Sequence, residues 1–353
     1  MEPHRISRRG FLLAGAAAAG ANARAMPAPK PVVSIVRIKN DKVAMAVEEA
    51  IDLLGGIRDV TRGKDTVMLK PNLVSSQATC TTKPEVVRTI AQLMQRAGKQ
   101  VSIGEGSAAA PNFNVFGTQV CRTRKREILD PMQRYVFDQL GYTELARTLR
   151  VPLVNLHSGD MVEIALPGAF VFDKLTIHKS LAEVDLLCSV PMMKTHTLAT
   201  VTLGMKNLIG AYPGTVYQAV RGHVHDMTSE VEPSGTAAAI VDMVRANKLG
   251  LVVVDASMAM EGDGPSMGPL VKMDLIVAGT NPLAADIVAA SLMGFEAREV
   301  PTFAWANKAG MRPASLDEIE VRGETVERAR RPFAKPQLYA WKSIRGNWGS
   351  KEI

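Results

Sequence analysis

Residues 66–107 read TVMLKPNLVSSQATCTTKPEVVRTIAQLMQRAGKQVSIGEGS. The stretch opens with an apolar strand at 66–69, broken by Lys70-Pro71-Asn72. Thr82-Lys83-Pro84-Glu85 then carries the marks of a helix start: Thr82 as cap, Pro84 in the first turn, Glu85 completing a capping box. Apolar residues recur at helical spacing to Ala97, and Gly98 stops the helix. Residues 101–103 form a second apolar strand, followed by Gly104-Glu105-Gly106-Ser107. Strand, helix and strand in close succession imply parallel strands joined by a crossover helix.

The same alternation extends on both sides. Residues 32–38 read as a strand and 43–54 as a helix ending at Gly55-Gly56. Further strands are expected at 152–155, 185–190, 251–254 and 274–278, with helices ending near Leu149, over 237–246 and from Asn281-Pro282. Residues 162–172 suggest an antiparallel hairpin around Pro167-Gly168, and 108–125 fit no period and read as a loop. The expected fold is α/β: a mostly parallel, doubly wound sheet with flanking helices and a small antiparallel hairpin insertion. Residues 251–254 lack any polar side chain, as central parallel strands do.

The first 25 residues read as a targeting segment. Ser7-Arg8-Arg9-Gly10-Phe11-Leu12-Leu13, a short apolar run and the small-x-small site Ala23-Arg24-Ala25 describe a cleavable twin-arginine signal. This predicts passage through the Tat translocon to the periplasm. The apolar run is shorter than the roughly 20 residues a span needs, and no later segment is longer, so no transmembrane segment is expected. Residues 26–327 then form one domain and 328–353 a basic, aromatic tail. The net charge of +7 lies in the two ends, so the body is close to neutral and a nucleic-acid partner is not expected. The tail is a candidate docking element for a protein partner, or an arm packed on its own domain. Cys80, Cys121 and Cys188 form no CxxC pair, so neither an iron–sulfur cluster nor a cysteine-held zinc is expected.

In an open α/β sheet ligands bind beyond the carboxyl ends of the strands. Polar clusters follow the expected strands at Lys70-Pro71-Asn72, Gly104-Glu105-Gly106-Ser107, Lys194-Thr195-His196 and Glu261-Gly262-Asp263-Gly264. Lys70, Lys194 and Lys206 suit the neutralisation of a carboxylate or phosphate, or base chemistry when desolvated. His196, Glu261 and Asp263 are candidate acid–base groups, and Asn72, Glu105, Ser107, Lys206 and Asn207 candidate ligand contacts. His223 and His225 would point the same way in an extended segment, and with His196 they are candidate ligands for a divalent transition metal. Neither a phosphate-binding glycine fingerprint nor a G-x-S-x-G elbow is present.

These segments resemble the DUF362 domain family. The resemblance rests on residues 69–74, 104–107, 190–196 and 204–210, on Arg221-Gly222-His223, on 260–265 with Gly268, and on Ala285-Asp286. It implies motif roles for Lys70, Asn72, Glu105, Lys194, His196, Lys206, Asn207, His223, Glu261 and Asp263, without naming their ligand. The iron–sulfur members of that family carry an added ferredoxin-like domain, whose cysteine quartet this chain lacks. The expectation is an exported protein that binds a small anionic molecule, as an enzyme or as a non-catalytic binding or assembly protein.

Overall fold

Residues 32–37, apolar and β-branched, form the first strand of a ten-stranded sheet in the computed structural model, which describes residues 29–231, 234–338 and 348–353. The signal segment lies outside the described residues. In chain order the strands are β1 (Val32–Arg37), β2 (Thr66–Pro71), β3 (Gln100–Glu105), β4 (Val115–Phe116) and β5 (Gln119–Arg122). They continue with β6 (Leu153–Asn155), β7 (Met161–Ala165), β8 (Lys174–His178), β9 (Leu186–Val190) and β10 (Met192–His196). The last are β11 (Thr200–Thr202), β12 (Leu249–Met260), β13 (Leu270–Gly279), β14 (Glu320–Gly323) and β15 (Trp348–Glu352).

The main sheet runs β14-β1-β13-β12-β9-β2-β3-β6, with β10 and β11 attached through β12. β6, β3, β2, β9 and β12 are mutually parallel, as the 66–107 stretch implied. The sheet is mostly parallel, as expected, and its other half holds the antiparallel part. β12 turns directly back into β13, which pairs antiparallel with both β12 and β1. No helix separates β12 from β13, because the residues between them make a tight Gly-rich loop instead of a crossover.

Both sheet faces are covered, which explains the unbroken apolar run in β12. Leu251 and Val253 join the apolar layer that holds helices Val43–Asp52 and Pro84–Arg96, while Val252 and Val254 join the layer under Gly235–Arg245 and Pro282–Leu292. β12 is long enough to serve two partners. Its first half pairs with β9, and its second half pairs with β10 after Pro191 has ended β9.

Three local expectations shift. The helix at 84–96 starts with Pro84 in its first turn, but Thr82 does not cap it. Thr82 Oγ1 donates to Val190 O (2.6 Å) and accepts from Asn72 N (2.9 Å), so sheet-to-loop contacts win over the cap. The hairpin of β7 and β8 keeps Pro167-Gly168 in its connection, with its second arm starting later than expected, at Lys174. The 108–125 stretch contains the short β4–β5 hairpin, against which β15 pairs in parallel.

The described part of the tail packs on its own body. Phe333 is buried, Arg331 N donates to Leu292 O (2.9 Å) and Phe333 N to Met293 O (2.8 Å). Phe333→Ala is therefore expected to cost about 3–5 kcal/mol, read by urea unfolding. An unchanged midpoint would return the tail to a free docking arm. Cys80, Cys121 and Cys188 are all buried free thiols.

Candidate functional site

The carboxyl ends of β2, β3 and β10 and the loop after β12 meet around a cavity of about 330 Å³. That lies at the lower end of small-molecule sites, about 300–1,000 Å³. Lys70, Asn72, Glu105, His196, Lys206, Asn207, His225 and Asp263 all line it, so most of the predicted strand-end groups do converge.

Its floor is an ion pair. Lys70 Nζ donates to Glu105 Oε1 (2.8 Å), with both side chains almost wholly buried. Removal from water pulls the Lys70 amine below its usual range, and Glu105 opposes that shift. Glu105 also accepts from Gly106 N (2.7 Å) and Leu73 N (3.0 Å), fixing the turns after β2 and β3. Gly210 covers the pair because a Cβ there would lie 2.4 Å from Glu105 Oε1. Asn207 is consumed in the same network: Oδ1 accepts from Lys70 and Asn72, and Nδ2 donates to Lys70 O and Ser189 Oγ. Its amide hydrogens are not available to a ligand. Asn72 differs, since its Oδ1 is buried without a partner while the residue faces the cavity.

Arg221, in sequence no more than part of the Arg-Gly-His triplet, is central to the site. Its buried guanidinium donates to the carbonyls of Gly106, Ser107, Ile209 and Gly210, joining the β3 loop to the 206–211 turn. Among the described residues no carboxylate forms an ion pair with it; burial lowers its value to about 10, and the charge of Glu105 opposes that shift. Gln218, Val220 and Arg221 all hold positive φ, at 66°, 51° and 58°. For a β-branched Val this is strained backbone, the kind that persists where surrounding structure holds it at functional sites. His157 is a second residue missed from sequence, because nothing in its neighbourhood suggests a motif. It is fully buried, its Nε2 faces Ser107 O (2.8 Å) and its Nδ1 accepts from Gly214 N (3.1 Å). Burial and the nearby Arg221 hold it neutral. Ser107 thus serves through its backbone and does not line the cavity.

Lys206 stands apart. It lines the cavity, is half-buried, and its side chain makes no hydrogen bond or ion pair with the described residues. Loss of water, then the charges of Lys194, Arg221 and Lys70, bring its amine down to about 7. The segment before it is pinned by Asp286, a buried carboxylate that accepts from Gly204 N (2.7 Å) and Met205 N (2.8 Å). Because the folded value of about 7 lies below the free lysine value of 10.5, the folded chain binds fewer protons than the unfolded one between them. Unfolding free energy should therefore rise with pH across that window, and Lys206→Met should flatten the rise in urea melts at about pH 7 and about pH 9.5. Lys194, brought to about 8 by burial, adds a slope of the same sign and remains in the variant.

The other candidates separate. His196 Nδ1 accepts from Leu198 N (3.0 Å), and burial keeps the ring neutral, so the proton sits on Nε2. Lys194 is fully buried and does not line the cavity; it donates to Cys80 O (2.7 Å). Glu261 and Asp263 hold the tail: Glu261 Oε2 accepts from Ala334 N (2.8 Å) and Asp263 Oδ1 from Gln337 N (3.1 Å). Only Asp263 reaches the cavity, at its exposed rim. His223 and His225 lie in the helix Gly222–Thr228, not in a strand, and so diverge. His225 lines the cavity, with burial bringing it to about 3, while His223 packs against Phe172 and Tyr217. The trio His196, His223 and His225 is thus not assembled, and among the described residues no group of three or more His, Cys, Asp or Glu is placed to hold a metal. Among those residues, no helix is long and apolar enough to cross a membrane.

A thylakoid-associated protein of Synechocystis sp. is 27% identical over 270 residues, covering 76% of this chain and 75% of that protein. Among solved structures, the lactate racemase apoprotein of Thermoanaerobacterium thermosaccharolyticum aligns at a TM-score of 0.44 and 14% identity, over 76% of this chain and 58% of that one. A Thermotoga maritima protein aligns at 0.40 and 13%, over 72% and 58%. The chain thus spans well under two thirds of either solved structure. The family model described as "Domain of unknown function (DUF362)" matches residues 67–291, which carry every strand-end loop of the cavity, and the chain belongs to that family.

Proposed function

We propose that the cavity binds a small anion, a carboxylate or a phosphate, in a protein exported to the periplasm by the twin-arginine route. The observation that carries the first part is the charge balance. Lys70, Arg221 and Lys206 surround the cavity; of the two carboxylates that line it among the described residues, Glu105 is consumed by Lys70 and Asp263 lies at the exposed rim. Such a site has an uncompensated positive field in a low-dielectric wall, which an anion relieves. His196 Nε2–H supplies a neutral donor to the same space. The export part rests on Ser7 to Leu13 and Ala23-Arg24-Ala25.

Calorimetry with a panel of small mono- and dicarboxylates and phosphate tests the site. Saturable binding is expected for at least one acid, and Lys206→Met should weaken it roughly tenfold, about the share of one charge-assisted hydrogen bond. If neither wild-type heat nor melting temperature responds to any of these anions, the reading fails. Export is tested separately: Arg8→Lys with Arg9→Lys should hold the precursor in the cytoplasm.

A further inference from the structure

A lysine placed only to hold an anion would gain from a carboxylate or carbonyl partner that keeps it protonated in the empty site. Among the described residues Lys206 bonds to neither, and it stands among Lys70, Lys194 and Arg221. Its neighbours in sequence are immobilised, with Gly204 and Met205 tied to Asp286 and Asn207 saturated by the β2 network. The amine is the reactive group left facing the cavity. A desolvated lysine beside other cations is an activated nucleophile toward carbonyl carbon.

Resting on the anion-site reading above, we propose that Lys206 condenses with the carbonyl group of an oxo acid whose carboxylate is drawn in by the Lys70 and Arg221 charges. The Nζ lone pair forms the N–C bond while the carbonyl π pair moves to oxygen. Oxygen gains one proton and nitrogen loses one, giving a carbinolamine. Departure of the hydroxyl with a second proton, as water, forms the C=N bond. Amine plus carbonyl thus yields imine plus water, with no oxidant or reductant. Two cavity groups suit the intermediate. His196 presents Nε2–H as a proton donor to the developing alkoxide. Asn72 Oδ1, buried and unpartnered, can accept from the N–H or the carbinolamine hydroxyl. The lowered value of Lys206, about 7, means that a useful fraction of free amine exists near neutrality.

The test is reductive trapping on the full chain. Pyruvate, 2-oxobutyrate and 2-oxoglutarate are each incubated with sodium cyanoborohydride, followed by intact-mass measurement and peptide mapping. The matching 2-hydroxy acids are titrated in parallel by calorimetry. One reduced adduct per chain on the Lys206 peptide is expected for at least one oxo acid, forming faster as pH rises through about 7. Lys206→Arg, which keeps the charge and cannot form an imine, should lose the adduct. Lys206→Met should do the same while melting no lower than wild type, which separates chemistry from misfolding. An adduct of equal yield in Lys206→Arg, or none in wild type, overturns the proposal. If the acids bind without trapping, only the imine falls and the anion site stands. If neither oxo nor hydroxy acids bind, both readings fall together.

Discussion

Glu105→Gln is expected to destabilise the chain by about 3–5 kcal/mol, the cost of leaving one member of a buried ion pair unmatched. Glu105 serves three donors at once: Lys70 Nζ, Gly106 N and Leu73 N. A glutamine keeps the shape, but it can no longer offset the Lys70 charge, and its amide nitrogen would face a donor. The Lys70 side chain is fully buried, and Gly210 closes over the pair, so water cannot take the place of the carboxylate. Replacing both partners removes the stranded charge, so Lys70→Met with Glu105→Gln should be less destabilised than the two single effects added together. Urea unfolding of the four proteins gives the cycle. A loss under about 1 kcal/mol for Glu105→Gln alone would show that the pair is not the floor of the site.

Arg221→Met should cost about 3 kcal/mol or more and abolish anion binding. The guanidinium bridges four carbonyls from two loops, and methionine offers none of its donors. Buried carbonyls that lose their partners are costly, at about 1–3 kcal/mol each where no water replaces the donor. The backbone at Gln218, Val220 and Arg221 sits in the left-handed region, where a Val at φ 51° is held only by its surroundings. Without the bridge that strain is free to relax, and the 206–211 turn that presents Lys206 separates from the β3 loop. Arg221→Lys should recover little, since an ammonium cannot span both loops as the planar fork does. Unfolding and calorimetry on the same samples separate the two effects. Intact binding in a folded Arg221→Met would remove Arg221 from the site.

Much of the cavity could be read from order along the chain. Lys70-Pro71-Asn72, Gly104-Glu105-Gly106 and Lys194-Thr195-His196 each follow an apolar run, and parallel strands bring such ends to one edge. The division of labour among those residues is not encoded locally. Lys70, Lys194 and Lys206 look alike in sequence, yet one is ion-paired, one is sealed against Cys80 O and one has no partner among the described residues. Arg221 carried no signal beyond its Arg-Gly-His triplet, and His157 none at all. Glu261 and Asp263 each read as a candidate acid–base group. They instead accept backbone N–H groups from the tail, a contact between residues more than seventy positions apart.

The sequence alone determined the alternation of strand and helix, the βαβ core of residues 66–107, the family and the set of loops from which a site would be built. These follow from local periodicity, capping and glycine placement, which act over a few residues. Only the tertiary structure decided that β12 turns straight back into β13, that His223 and His225 diverge on a helix, and which charges face which. Partner choice among buried charges depends on distances set by the whole fold, and desolvation depends on what covers each group. That is why three similar lysines leave the sequence as equals and emerge from the structure with three different chemistries.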